Sequence, residues 1–328
     1  MKYKQALLYT TFALLGILLF WLALRGVDFK LLQAEWKKID NRWLLVLLIP
    51  SLLAQVFRVL RWQVLLKQTN ENVSFITLYH SLLFGYFVNL GLPRVGEISR
   101  CISLQKLQNI PTLKSLATVV NERIADMLFL VLIVGFAFFI QTDTLKLFWL
   151  ENIYEPLLKA VFSKLGILIP AFVMVVLVLI FFVRRYKSKW KTSRTANYFY
   201  QFYISLQSIL TLKTNRLLLF VLLSCCIWTC YFFTTWLWFF ALSGTFSLPF
   251  YAAFSIMAVG SIAKTIPIQG GGMGAYHFLV GNLLLSYGLS DVGAQTFALL
   301  NHGYQTVFYL LFGGFSALYL FLKRKKFG

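Results

Sequence analysis

Residues 85–100 read GYFVNLGLPRVGEISR, and this stretch decides the fold of the chain. It starts as an apolar helix, but Asn89, Gly91, Pro93 and Gly96 follow one another closely. Proline removes a backbone N–H donor and glycine loosens a helix, so these residues together predict a break. Unpaired backbone groups are costly in hydrocarbon unless protein or water satisfies them. The stretch therefore predicts a helix that enters a membrane, breaks near Pro93 beside a cavity and turns back.

A second interrupted stretch, residues 264–277, reads KTIPIQGGGMGAYH. Its proline and glycines predict a second hairpin that leaves the helical conformation and turns at 270–274. The first hairpin is expected to return through Leu116. The pattern LPxxG at 92–96 matches IPxxG at 266–270, which fits an internal duplication and admits an inverted repeat. The alternative is that both prolines kink helices or lie in loops between shorter spans.

The composition excludes a soluble protein, because 59% of the 328 residues are hydrophobic and only 13% are charged. Soluble domains average about 45–50% apolar and about 25% charged residues. The sequence predicts an all-α integral membrane protein, a single polytopic helical bundle over residues 1–328 with about six full spans and two re-entrant broken-helix hairpins. The apolar runs that carry this prediction are 6–24, 43–66, 75–92, 116–140, 165–183, 217–242, 250–266, 273–289 and 294–322.

The net charge of +20 follows the membrane topology and does not indicate nucleic-acid binding, since the basic residues lie between apolar runs. The segment 184–216 has eight basic residues and no acidic one, so it predicts a cytoplasmic loop. Four basic residues at 323–326 place the C-terminus on the same side, and the N-terminus is expected there too. The segment 25–42 is expected to be a helix lying in the membrane interface.

Ionisable side chains within or near the spans are functional candidates, because charge is costly at membrane depth. Glu122 and Asp126 are four residues apart and share one helix face, so their motif NERIAD is expected to pair with Arg94 or Arg100. Arg58 and Arg61 are interpreted as side chains that snorkel to the inner interface. The alternative for the carboxylates is that they only neutralise such cations.

The sequence gives little support for a metal site or for a catalytic site. The three histidines have no metal-ligand spacing, and the four cysteines are interpreted as packing residues. His302 beside Asn301 is expected to be structural, whereas His277 directly follows the glycine run and is expected to contact substrate. We expect no cofactor and no metal site, and an enzyme is the less favoured interpretation. The candidate substrate-binding residues are Asn89, Pro93, Arg94, Glu97, Arg100, Glu122, Arg123, Asp126, Lys264, Pro267, Gly270, Gly271, Gly272, Gly274 and His277.

Nearly the whole chain resembles the transmembrane region of lysylphosphatidylglycerol synthases, the flippase-like family that includes multiple peptide resistance factors. The matching segments are RVLRW at 58–62, NLGLPRVGEISR at 89–100, VVNERIADM at 119–127 and IPIQGGGMGAYH at 266–277. The resemblance implies a lipid-translocating module with re-entrant helices around a headgroup-accessible cavity. It implies no aminoacyl transfer, because the soluble synthase domain of the family is not expected here. A departure is His277, where the family tends to have glutamate after the glycines.

The leading hypothesis is a multi-pass protein of the bacterial cytoplasmic membrane that binds a lipid headgroup and helps it cross. The glycines would let the backbone approach a phosphate, and Arg94, Arg100 and Lys264 would neutralise it. The carboxylates would hold these cations or contact an amine. Expected partners are anionic, aminoacylated or polyprenyl-linked lipids. The alternatives are a membrane transferase acting on a lipid-linked substrate and a non-catalytic subunit that positions a separately encoded synthase.

Overall fold

The computed structural model describes residues 39–92, 94–155, 174, 203–205, 207, 209, 211–265 and 269–327. Within these ranges the chain is helical, apart from short connections and an isolated bridge between Ile39 and Leu242. The described residues also include a π-helical turn at Leu150–Tyr154 and a 3-10 turn at Ser243–Thr245. The helices are α1 (Asn41–Gln68), α2 (Phe75–Gly91), α3 (Val95–Gln108), α4 (Thr112–Ile140), α5 (Thr142–Trp149), α6 (Thr214–Ala241), α7 (Ala252–Thr265), α8 (Gln269–Ser286) and α9 (Asp291–Phe327).

Four of the described helices are long and apolar enough to cross a membrane, namely α1, α4, α6 and the part of α9 from Asp291 to Lys323. They contain 28 to 33 residues, and at about 1.5 Å per residue they exceed the ~30 Å hydrocarbon core. Their outer faces are rich in exposed apolar side chains such as Val131 and Leu218. The predicted class, an all-α polytopic membrane protein, is therefore confirmed. The predicted spans at 6–24 and 165–183 lie outside the described residues.

Two apolar helices of the described residues, α2 and α7, are too short to cross, as the broken-helix prediction requires. Helix α2 has 17 residues and α7 has 14, which correspond to about 26 and 21 Å. Each is followed in the chain by a separate helix, α3 (14 residues) after α2 and α8 (18 residues) after α7. The structure thus has a helix–break–helix unit at each predicted place.

Three details of the predicted breaks are wrong. Helix α8 begins at Gln269 and runs through all four glycines, so the predicted turn at 270–274 does not occur. Proline disfavours helix at the residue before it, whereas each glycine costs a helix only about 1 kcal/mol. Asn89, Gly91 and Gly96 likewise lie inside helices. The first hairpin returns through α3, and α4 starts separately after Pro111, so it does not return through Leu116.

The two halves of the chain repeat one order of elements. Helices α1, α2, α3 and α4 follow the pattern long, short, break, short, long, and α6, α7, α8 and α9 follow it again. The equivalent helices α1 and α6 pack against each other in opposite directions. The amide of Asp40 donates to Ala241 O at 3.0 Å, and at the other end Arg216 Nη1 donates to Gln68 Oε1 at 3.1 Å. This is the arrangement of an inverted repeat.

The partners of the helix ends define two opposite ends of the molecule. Lys323 Nζ donates to Thr77 Oγ1 at 2.9 Å, so the end of α9 lies beside the start of α2. This end also carries Lys67, Lys106 and Lys114 and is called the basic end. At the far end, the Tyr287 hydroxyl contacts Gln141, joining α8 to the end of α4. There Asp40 caps α1 and its carboxyl has a lowered pKa, because the Arg42 side chain donates hydrogen bonds to it.

Glycine permits the close packing inside each broken unit. A Cβ on Gly96 of α3 would lie 2.0 Å from Gly85 O of α2, and one on Gly85 would lie 2.8 Å from Gly96 O. In the second unit, a Cβ on Gly260 of α7 would lie 2.7 Å from the Tyr276 ring of α8. Contacts this short exclude any side chain, so glycine sets how closely the two short helices of each unit approach.

Candidate functional site

The two helix breaks meet. Arg94 is the last residue of the first break, and its Nη2 donates a hydrogen bond to the carbonyl oxygen of Thr265 at 3.0 Å. Thr265 is the last residue of α7, so its carbonyl has no intrahelical partner. Arg94 has φ of 65°, the left-handed conformation that non-glycine residues rarely adopt. A side chain from the first half therefore donates a hydrogen bond to the last carbonyl of a helix in the second half.

Lys264 adds a second cation at the same place. Its Nζ donates to Gln305 Oε1 of α9 at 2.6 Å and lies 4.8 Å from the centre of the Tyr276 ring. Arg94 and Lys264 are both exposed side chains. Among the described residues, no carboxylate lies within ion-pair distance of either cation. We call Arg94, Lys264, Thr265 and Gln305 the break junction.

A group of charged side chains is buried between α1, α3 and α4, and we call it the charge cluster. Arg100 Nη2 donates to Glu122 Oε2 at 2.8 Å. Arg61 Nη2 lies 2.7 Å from Asp126 Oδ1, and its Nε lies 3.9 Å from Glu122 Oε1. Arg58 donates to Asp126 Oδ2 through both terminal nitrogens at 3.2 Å. The side chains of Arg61 and Glu122 are 0% and 1% exposed. Their charges are therefore stabilised by the neighbouring charged groups and not by water.

Helix α6 and an aromatic ring complete the surroundings of the cluster. Arg58 Nε donates to the Tyr231 hydroxyl, and Arg61 Nη1 donates to Ser224 Oγ at 3.1 Å. The Arg100 guanidinium lies 4.6 Å from the centre of the Trp62 ring. Because these partners come from different helices, the cluster ties α1, α3 and α4 of the first half to α6 of the second.

Glu97 and Arg123 form the partly exposed rim of the cluster. Arg123 Nη2 lies 3.2 Å from Glu97 Oε1, and their side chains are 39% and 22% exposed. Asn89 reaches across the break, since its Nδ2 donates to Glu97 Oε2 at 3.3 Å and its Oδ1 accepts from Gly96 N at 2.7 Å. Asn89 thereby caps the start of α3, which has no capping side chain of its own. Exposure increases from the cluster through this rim to Arg94.

The structure brings together part of the predicted set. The expected pairing of NERIAD with Arg100 is confirmed, whereas Arg94 reaches Thr265 instead. Glu122 and Asp126 share a helix face as expected, since both contact Arg61. The interpretation of Arg58 and Arg61 as snorkelling side chains is wrong. Carboxylates and hydroxyls of α4 and α6 surround their guanidinium groups, so these groups stay buried.

The remaining predicted residues lie in the second half. Gly270, Gly271 and Gly272 form the first turn of α8, and Gly274 faces open space. His277 packs beside His302, with ring centres 5.7 Å apart, and its Nε2 has no hydrogen-bond partner among the described residues. The buried His302 ring also lies 5.2 Å from Tyr276, in keeping with the structural role expected for it. Pro93 and Pro267 lie outside the described residues.

Sequence reasoning missed the neutral residues of the site, namely Ser224, Tyr231, Tyr276 and Gln305. They lie on apolar helices and resemble ordinary packing residues there. One usable signal was the spacing of Ser224 and Tyr231, because seven residues place them on one face two turns apart.

Comparison with known proteins places this geometry in a family. The model of the family described as lysylphosphatidylglycerol synthase TM region matches residues 9–313. The match includes both breaks, the break junction and the charge cluster. No curated protein and no solved structure matches the chain.

Proposed function

The chain belongs to the lysylphosphatidylglycerol synthase transmembrane region family, and from this membership and the site geometry we propose that it carries a lipid headgroup across the membrane. The headgroup binds at the break junction, between the two helix–break–helix units. The observation that carries the proposal is the hydrogen bond from Arg94 to Thr265 O, because it joins the two breaks at one place.

Both units are re-entrant in this proposal. Helix α2 starts at the basic end, where α9 finishes, and α7 starts at the opposite end beside α4. Their tips meet, so each tip lies part of the way through the molecule. Broken helices are tolerated in a bilayer where they line a polar cavity, and paired breaks in inverted repeats mark transporter substrate sites.

The junction offers a headgroup the donors that hydrocarbon lacks. The Arg94 and Lys264 side chains are exposed and supply positive charge, and Gly274 leaves room beside α8. The neighbouring charge cluster holds α1, α3 and α4 together through ion pairs and joins them to α6 through hydrogen bonds to Tyr231 and Ser224. It therefore acts as a rigid wall against which the second broken unit moves.

The contacts of the carboxylates support lipid translocation better than they support a group-transfer reaction. A membrane transferase requires a general base, and Glu97, Glu122 and Asp126 are each paired with arginine in the described structure. Their pairing supports a structural role in holding cations. The basic end faces the cytoplasm of a bacterial cell in this proposal, as the distribution of lysine and arginine favours.

The test is a lipid-translocation assay in proteoliposomes with fluorescent phosphatidylglycerol and an impermeant quencher. Arg94→Gln and Lys264→Gln are expected to slow translocation at least about tenfold each, the effect of losing a charge-assisted hydrogen bond. Lys106→Gln is the matched control, because it removes an exposed cation from α3 at the basic end. Rates that stay unchanged in both junction variants would contradict the proposal.

A further inference from the structure

The charges of the cluster, its rim and the break junction do not balance. Together they contain six cations, namely Arg58, Arg61, Arg94, Arg100, Arg123 and Lys264, against the three carboxylates Glu97, Glu122 and Asp126. Unpaired charge in a low-dielectric interior is unfavourable. The excess of positive charge must therefore meet water or an anion that the protein binds.

Each of the three carboxylates already lies in an ion pair with an arginine of the cluster or its rim. Glu122 pairs with Arg100, Asp126 accepts from Arg58 and lies near Arg61, and Glu97 pairs with Arg123. Glu97 also accepts from Asn89. A positively charged amine entering this region would have to displace an arginine before it found a carboxylate.

Two of the three excess positive charges are located at the break junction, and the third belongs to the cluster and its rim, where four arginines meet three carboxylates. Arg94 and Lys264 bind neutral oxygens of Thr265 and Gln305, and both cations are exposed. Arginine and lysine keep further donors after one such bond. Because Lys264 directly precedes Thr265, the first and second halves each bring one cation to the same contact.

We propose that the break junction selects an anionic headgroup phosphate and rejects headgroups that carry an amine. This inference rests on the proposed function and names its substrate class. Phosphatidylglycerol and other amine-free phosphate lipids fit the charge of the site. Zwitterionic and aminoacylated lipids do not, because their amine would face Arg94 and Lys264 without a carboxylate partner.

The experiment is a lipid competition followed by native mass spectrometry of the full chain in detergent. The protein receives equimolar phosphatidylglycerol, phosphatidylethanolamine and lysyl-phosphatidylglycerol. Phosphatidylglycerol is expected to bind at least about tenfold better than the lysyl lipid, the range of one charge-assisted hydrogen bond. Equal binding, or preference for the lysyl lipid, would overturn the inference.

Charge reversal gives the sharper comparison. Lys264→Glu is expected to reduce the preference for phosphatidylglycerol at least about tenfold, because it supplies the missing carboxylate. Lys106→Glu makes the same change on the exposed surface of α3 and is expected to leave the preference unchanged. Equal effects of both variants would overturn the inference. If Lys264→Glu is not monodisperse, Arg94→Gln provides the comparison, with a smaller loss of preference in the same direction.

Two further arms separate the sources of the phosphate and the two proposals. Inorganic phosphate at millimolar concentration is expected to leave bound phosphatidylglycerol in place. Complete displacement would overturn the assignment to a lipid in favour of soluble phosphate. Translocation of the three lipids is measured in the same preparation. Equal rates for all three would overturn the selection alone, whereas selective binding without any translocation would overturn the proposed function alone.

Discussion

Arg94 Nη2 lies 3.0 Å from the carbonyl oxygen of Thr265, and these two residues flank the two helix breaks of the chain. Arg94 precedes α3 in the first half, and Thr265 ends α7 in the second. The bond therefore joins the halves where each helix is interrupted. It satisfies a terminal carbonyl that a membrane would leave unpaired. Separating the halves would leave that carbonyl without this hydrogen bond.

Glycine at position 96 is expected to be essential for the first broken unit. Gly96→Ala would place a Cβ 2.0 Å from Gly85 O, so α2 and α3 must separate. We expect a loss of about 1–3 kcal/mol in the free energy of unfolding, measured in detergent. Gly303→Ala is the control, because its Cβ would meet no atom within 4 Å. An equal effect of both substitutions would show that the helices do not pack as described.

The buried ion pairs are expected to contribute much more to the free energy of unfolding than the ion pair at the rim. Arg100→Met leaves Glu122 buried beside a single arginine at 3.9 Å, and we expect a loss of about 3–5 kcal/mol. Arg123→Met removes the half-exposed partner of Glu97 and should cost about 1 kcal/mol or less. Denaturation of both variants in mixed micelles measures this difference. Equal losses would mean that water reaches Arg100 as freely as Arg123.

The inverted repeat places the far ends of α3 and α8 on opposite membrane faces. Lys106 and Ser286 are exposed near these ends. In a background with the four native cysteines replaced, Lys106→Cys should react with an impermeant maleimide only from the cytoplasmic side. Ser286→Cys should react only from the outside. Labelling of both from one side of sealed vesicles would refute the inverted arrangement and the re-entrant path.

Water is expected to reach the first turns of α8. Gly274 faces open space, so Gly274→Cys adds a thiol without a clash. A charged methanethiosulfonate reagent should modify it, because thiolate forms only where water solvates it. Val131→Cys on α4 is the control, since that position is 69% exposed on an apolar helix face. Similar slow reaction at both positions would indicate that lipid, not water, surrounds Gly274.

Much of the architecture follows from the sequence, because hydropathy and proline act locally. The runs at 43–66, 116–140, 217–242 and 294–322 correspond to α1, α4, α6 and α9, and α2 and α7 end shortly before the two prolines, at Gly91 and Thr265. The expected break within the glycine run is wrong, because these glycines lie in α8, which begins at Gln269. Each glycine costs a helix only about 1 kcal/mol, so a run of glycines does not by itself end a helix.

The site was less predictable, because its chemistry depends on pairing between distant helices. Pairing of Arg100 with Glu122 follows from charge and position, but the burial of Arg58 and Arg61 does not. Their partners Tyr231 and Ser224 are more than 160 positions away in sequence. The sequence also does not show in which direction the helices of the second half cross the membrane, because the hydropathy of a helix is the same for either direction. Contacts between the halves reveal it, such as those of Asp40 with Ala241 and of Gln68 with Arg216.

The most direct test of the central claim is a cryo-electron microscopy structure in nanodiscs that contain phosphatidylglycerol. We expect Arg94 and Thr265 to be in contact within the hydrocarbon layer, with density for a headgroup phosphate beside Arg94 and Lys264. A structure in which apolar side chains separate these two residues, or in which both lie at the bilayer surface, would contradict the account.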